Sequence, residues 1–325
     1  MLKSIQWKLV KIKYNGNSIG DDIRLEVEIL GKFLQIDTEI KAGKTAVMNQ
    51  EIGKFETDQE TFRAGVLITI IEKDLLFNDI GRASGNLKIN TTITEAQQFV
   101  FQSQIKETRS VLGKIWGKRK AYFEITLEAE VSNPARYVPD LDESQGFLTV
   151  KLEDKKSEVE LPAYLKVRLE RASATREYLT ILEGPYRGKA ASVEFQKNGS
   201  SWFIADVNHE PMIQAEYSIS QKIFTLNGKK YKTTDYPTAP WQKGIYDIEI
   251  PDCFHRGGRN YLDRSKRAGT WLRISHGGAR YLHAGGYSLG CMTVIEVSRW
   301  MEIYNALIKA RKGDFMSVGI LEVSD

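Results

Sequence analysis

Apolar and polar positions alternate through much of the first third of the chain. The stretches "IQWKLVKIKY", "DIRLEVEIL", "GVLITIIEKD" and "AYFEITLEAEV" are rich in β-branched and aromatic residues and are punctuated by turn formers at Asn15-Gly16 and Gly20-Asp21. That spacing of strands and turns predicts a β-sandwich over residues 1–140. Residues 92–118 carry longer patches of helical spacing and predict one or two inserted helices. Residues 133–146, with Pro134 and Pro139 among turn formers, read as a linker. Short strand patterns over residues 147–206 predict a small barrel. From residue 212 to 325 the pattern gives a strand, an Asn227-Gly228 hairpin turn and further strands. Val297, Trp300, Met301, Tyr304, Leu307 and Ile308 then recur at helical spacing, and basic residues precede Gly313, which predicts a helix over 297–311. "DFMSVGILEV" closes the chain as a strand. The fold class expected is mainly β, in three domains at 1–140, 147–206 and 212–325.

Composition narrows the function classes. Lys and Arg number 46 against 42 Asp and Glu, a net charge of +4, which is too weak for a dedicated nucleic-acid binder. No long apolar run predicts a spanning helix, and the start "MLKSIQWKLVKIKYNG" lacks the apolar core of a secretory signal. With two cysteines the chain has no disulfide framework, although Cys253 and Cys291 allow one bridge.

Two segments resemble small known modules. "GDDIRLEVEI" and "LITIIEKDLLFNDIG" place an acidic turn before one strand and Glu72, Lys73, Asp74, Asn78 and Asp79 after another, which resembles a C2 domain over roughly the first 130 residues. The resemblance implies either a calcium site built from those loops or a purely structural sandwich, with a membrane or protein partner reached through this domain. On the plainer reading Asp21, Asp22 and Asp79 are turn residues. "EGPYRGKAASVEF" resembles the turn of an SH3-like barrel of the KOW type. That resemblance implies RNA contact through Tyr186, Arg187 and Lys189, against the alternative of a solvated face. With so little net charge, no nucleic-acid partner is expected.

Candidate chemistry concentrates at "SHGGARYLHAGGYSLGC", residues 275–291, which holds two of the four histidines and one of the two cysteines. A cysteine breaks an amide only as thiolate, so it needs a base within reach; glycines beside it let backbone N–H groups approach an oxyanion. Cys291 is the candidate nucleophile and His276 the base, fifteen residues upstream (291 − 276). Ser288 and Gly290 shape the turn. His283, Gly277, Tyr287 and Arg280 stand as supporting or substrate-binding residues.

The order of parts around these residues resembles the L,D-transpeptidase (YkuD-type) catalytic domain over about 110 residues. "SQKIFTLNGKK", "TAPWQKGIYDIEI", "SHGG" and "SLGC" stand where that family has its opening strand, its Gly-Tyr-x-Ile segment, its His-Gly and its Ser-x-Gly-Cys. Leu289 and Thr293 replace the family's usual basic residues. The resemblance implies acyl transfer through a Cys291 acyl-enzyme on a peptidoglycan stem peptide, to an amine or to water, with no cofactor. It further implies a bacterial protein acting at the envelope or periplasm, or one exported by a signal-independent route.

Other classes remain in view. Cys253, His255, His276, His283 and Cys291 fall within 39 residues (291 − 253 + 1) and are ligand types zinc accepts, but none of the tight zinc spacings is present, so no metal is expected. An inactive catalytic fold that only binds wall or peptide, and an effector toxin cleaving an amide, are the remaining alternatives.

Overall fold

In the first strand the buried residues are Ile5, Trp7 and Leu9, then Ile12 and Tyr14, so the two-residue period slips by one after Leu9. The slip coincides with a register shift between Leu9 and Lys11 against both neighbouring strands, a β-bulge that returns Ile12 and Tyr14 to the inner face. The computed structural model describes residues 2–73, 78–106, 119–236, 238, 240–276 and 278–325, and is mainly β. It divides into two compact units, Met1–Pro134 and Ala135–Asp325.

The first unit is a sandwich of two four-stranded sheets. Lys3–Gly16, Thr45–Thr57, Gln97–Lys106 and Lys120–Ser132 form one; Asp22–Ile29, Lys32–Glu39, Thr61–Glu72 and Asp79–Asn90 form the other. All pairings are antiparallel, and their inward residues share one buried cluster that includes Trp7, Leu25, Ile68 and Leu127. The helical patches expected over 92–118 resolve differently. Residues Gln97–Lys106 are a strand with an alternating burial pattern, and 107–118 lie outside the described residues. Phe99, Phe101 and Ile105 are the period-two signal that the glutamines between them obscured.

In the second unit, six strands between Ala135 and Glu194 form one antiparallel sheet, and eight strands between Ile213 and Ser324 form another. The eight-stranded sheet is nearly closed: its outermost strands, Gly244–Glu249 and Leu272–Arg273, approach each other through a bridge between Ile248 and Ile274. The segments at 147–206 and 212–325, expected as separate domains, contribute to a single buried cluster running from Val138 to Val323. The segment read as a linker is integral here, because Ala135–Tyr137 pairs with Lys166–Ala172 and Val138 is fully buried.

The C-terminal helix, α1, spans Trp300–Ile308, preceded by a 3₁₀ turn at Val297–Arg299. It is shorter than the spacing predicts. Arg311 turns back to donate to the carbonyls of Ile308 and Ala310 while pairing with Glu183 at 3.0 Å, and Ala310–Arg311 becomes a short parallel strand beside Glu210–Pro211. Side-chain capping of the last carbonyls thus ends the helix before the basic cluster that suggested its continuation.

Candidate functional site

Three short strands, Leu272–Arg273, Tyr281–Ala284 and Met292–Val294, lie side by side at the edge of the eight-stranded sheet. Their registers pair Leu272 with Leu282 antiparallel and Leu282 with Met292 parallel. Leu272, Leu282, Ala284, Met292 and Val294 all enter the core, so alternation sends the residues between them to the other face. That face carries two rows. Trp271, His283 and Thr293 form one row, and Arg273 pairs with Tyr281 beside it; Cys291 immediately precedes the third strand, its thiol meeting the Tyr281 backbone. His283 pairs with Thr293, two residues after Cys291, and among the described residues no hydrogen bond joins His283 to Cys291.

The His283 ring is held on all sides. Its Nδ1 lies 3.0 Å from the Ala284 carbonyl, which only accepts, so the ring proton is on Nδ1 and Nε2 presents its lone pair. The Thr293 hydroxyl sits 3.0 Å from Nε2 and has a second acceptor, the Tyr287 carbonyl, at 3.3 Å. Trp271 stacks on the imidazole with centroids 4.1 Å apart, and His255 stacks on the far face of the same indole at 4.5 Å. Burial pushes the His283 imidazole down to about 4, and the nearby His255 adds to the effect.

Cys291 is half-buried and free. Burial pushes its thiol up, opposed by a backbone hydrogen bond from Tyr281 and by the Arg280 guanidinium. The turn before it is set by Ser288, whose hydroxyl donates to the Cys291 carbonyl at 2.6 Å and accepts the Gly290 N–H at 3.2 Å. Gly290 has φ +112°, which favours glycine there. Tyr287 and Leu289, on either side of Ser288, point to solvent.

His276 is placed elsewhere. Its Nε2 lies 2.8 Å from Asp247 and its Nδ1 3.5 Å from Glu249, and among the described residues no hydrogen bond joins it to Cys291. Two carboxylates on the Gly244–Glu249 strand hold the ring, a pairing that residue order alone does not reveal. Of the N–H groups at Gly285, Gly286, Gly290 and Cys291 expected to face an oxyanion, three are committed: Gly285 donates to the Val294 carbonyl, Gly286 to the Tyr261 hydroxyl and Gly290 to Ser288. Gly277 lies outside the described residues. Arg280 lies over the Trp241 ring at 5.0 Å and, with Tyr246, Ile274 and Ser275, lines a cleft of about 340 Å³.

The five zinc-type residues do not converge. Cys253 and His255 cluster with Asp252, apart from the His276 group. Asp252 accepts from His255 at 2.9 Å, from Arg273 at 2.6 Å and from Tyr281 at 3.2 Å. Burial pushes its carboxyl up, but the hydrogen bond and charge of His255, with Arg273, hold it at about 2. Burial and the Asp252 charge push the Cys253 thiol up to about 11, so this cysteine is not an activated nucleophile. Asp247, Glu249, Asp252, Trp271 and Arg273 were not singled out from sequence. Trp271 and Arg273 alternate with Leu272 and Ile274 in "TWLRI", the one signal that marked them as facing a common surface.

The other expected sites carry ordinary contacts. In the first unit Lys73 pairs with Asp37 at 2.8 Å and reaches Asp22 at 3.9 Å, and Arg24 pairs with Asp37. These cations occupy two acids at the end of the sandwich where calcium was considered; Asp74 lies outside the described residues. In the second unit Tyr186 packs against the core, Lys189 pairs with Asp154 and Arg187 covers the Phe315 ring. Among the described residues no helix is long and apolar enough to cross a membrane.

No family model matches the sequence, and no curated protein matches it either. Solved structures give distant likenesses. A single C2 domain, domain A of a plant extended synaptotagmin 1, aligns at 15% identity over 39% of this chain and 93% of its own, with a TM-score of 0.23. Human GIVD cytosolic phospholipase A2 aligns at 10% identity over 66% of this chain, with a TM-score of 0.25; the chain spans 34% of that protein's length. A two-domain fragment of extended synaptotagmin 2 aligns at 10% identity over 61% of this chain and 81% of its own, with a TM-score of 0.24.

The depressed His283 imidazole makes stability depend on pH. Between the ordinary histidine value and about 4 the unfolded chain binds a proton that the folded ring refuses, so unfolding is increasingly favoured as pH falls through that window and the loss levels off below it. The shift corresponds to a loss on the order of 3 kcal/mol. Denaturant titrations from pH 7 to 4 on wild type and His283→Gln are expected to differ by a slope of this sign. Parallel curves would show that His283 is not held neutral.

Proposed function

We propose that the second unit is a cysteine acyl-transfer enzyme acting on a peptidoglycan stem peptide, with Cys291 as nucleophile and His283 as base. The observation that supports this reading is the pairing of Tyr281–Ala284 with Met292–Val294, which brings a tautomer-fixed imidazole opposite Thr293, two residues after Cys291. In this reading the base is not His276, whose two ring nitrogens face Asp247 and Glu249.

The chemistry follows from the contacts. When the Thr293 hydroxyl turns to its second acceptor, the Tyr287 carbonyl, the Nε2 lone pair of His283 is released to take the thiol proton. Because burial holds that ring well below neutrality, the proton leaves the sulfur only as the thiol attacks the scissile carbonyl, and His283 returns it to the departing amine, leaving an acyl-enzyme on Cys291. A second amine gives a crosslink or exchange, and water gives cleavage. The Tyr281 backbone hydrogen bond and the Arg280 charge stabilise the thiolate against burial. The substrate and the bacterial-envelope setting rest on the resemblance of the "SQKIFTLNGKK" and "SLGC" segments to the L,D-transpeptidase domain.

Incubation of the full chain with a stem tetrapeptide and an amine acceptor, followed by chromatography, is expected to show loss of the terminal residue or its exchange. With Cys291→Ser both should disappear. Turnover at the wild-type rate by Cys291→Ser would overturn the proposal, and absence of turnover by wild type would favour a wall- or peptide-binding module.

A further inference from the structure

The group around His276 has the make-up of a cation site. Asp247 and Glu249 are two residues apart on the Gly244–Glu249 strand, so both side chains leave the same face. His276 arrives on the loop after Leu272–Arg273, and that loop is tied down where the Ser275 N–H donates to the Asp247 carbonyl at 2.8 Å. Asp314 comes from the turn before the last strand. Its Oδ1 accepts the N–H groups of Met316 and Ser317 at 2.8 and 2.7 Å, which fixes the carboxylate and leaves Oδ2 available. One ligand atom each from Asp247, His276 and Asp314 lies within 4.8 Å of the others.

A second observation concerns Glu249. It is only 4% exposed, and its Oε1 is buried without a hydrogen-bond partner. The basic atom it approaches is Nδ1 of His276, at 3.5 Å. A histidine that binds a metal through one nitrogen characteristically gives its other N–H to a carboxylate, which sets the tautomer and aims the ring. Glu249 stands in that position, with Nε2 directed at Asp247 Oδ2, 2.8 Å away. Three carboxylates face the neighbouring cations, Lys312 at 2.5 Å from Asp247 Oδ1 and 3.6 Å from Asp314 Oδ2, and Arg273 near Glu249. Lys312 takes the Asp247 oxygen that His276 does not use.

We infer that Asp247 Oδ2, His276 Nε2 and Asp314 Oδ2 bind a divalent cation of the zinc or manganese class, with Glu249 as the orienting partner of His276. An imidazole with carboxylates suits those ions, and waters complete the shell. The ion ties together the Gly244–Glu249 strand, the loop carrying His276 and the final turn. The site holds without regard to the chemistry at Cys291.

The test is calorimetric titration of the chelator-treated full chain with ZnCl₂ and, separately, MnCl₂. One equivalent is expected to bind with at least one of them. His276→Ala, at a half-exposed position, should abolish binding while leaving the circular dichroism spectrum unchanged. Glu249→Gln should weaken binding by about 10- to 100-fold, the usual effect of removing an orienting partner. Lys312→Met should tighten it, since a competing ammonium is removed. A Cys253→Ser, His255→Ala variant should bind as wild type does. No saturable binding of either ion, binding unchanged in His276→Ala, or binding lost only in the Cys253/His255 variant would each overturn the inference.

Discussion

Replacing His283 with alanine is expected to lower the rate of acyl transfer from a stem peptide by about 10²- to 10⁴-fold, the range over which a positioned general base acts. The same change at His276 should alter it only a few-fold. The contrast follows from the contacts of the two rings: His283, on the strand paired with Met292–Val294, presents an unprotonated Nε2, whereas both nitrogens of His276 face carboxylates. Equal losses in the two variants, or a larger loss in His276→Ala, would return the role to His276.

Trp300→Ala is expected to destabilise the second unit by about 3–5 kcal/mol, the usual cost of deleting a large buried aromatic. Trp300 is fully buried at the start of α1, and its indole N–H donates to the Arg267 carbonyl at 2.9 Å. Arg267 is itself buried and pairs with Asp140 and Asp142, both at 2.6 Å, so the residue anchors a region where the helix, an internal loop and the 138–146 segment meet. For a unit of this size the melting temperature should drop by roughly 10 °C. Since Val138, Leu148 and Trp300 belong to one cluster, the residues on both sides of position 210 should unfold in a single transition. Two separate transitions within Ala135–Asp325 after the substitution would contradict that shared core.

The strands were legible because their burial is one-sided. Ile5, Trp7 and Leu9 announce a face, whereas the bulge between Leu9 and Lys11 emerged only from the strand pairing. The strand at Gln97–Lys106 was obscured because three of its outward positions, Gln98, Gln102 and Gln104, are glutamines, residues that helices also favour. The helix end near Ile308 was missed because it depends on Arg311 meeting Glu183, a pairing 128 residues apart. At the candidate site, sequence marked the turn that Ser288 and Gly290 build within 275–291. The partner of each histidine was hidden, because strand register decides it: Leu282 opposite Met292 sets His283 beside Thr293, and nothing in "SHGGARYLHAGGYSLGC" states that register. Likewise Asp247 and Glu249 lie 29 and 27 residues before His276 (276 − 247 and 276 − 249) and meet it only because the sheet curls until Ile248 bridges Ile274.

The most direct measurement is the intact mass of the protein after brief incubation with a stem peptide at pH 7, followed by peptide mapping. A covalent adduct equal to the acyl donor less its leaving amine is expected, located on Cys291, absent from Cys291→Ala and strongly reduced in His283→Ala. An adduct on Cys253, or an unmodified chain under conditions in which the peptide is demonstrably bound, would contradict the assignment of Cys291 as the nucleophile.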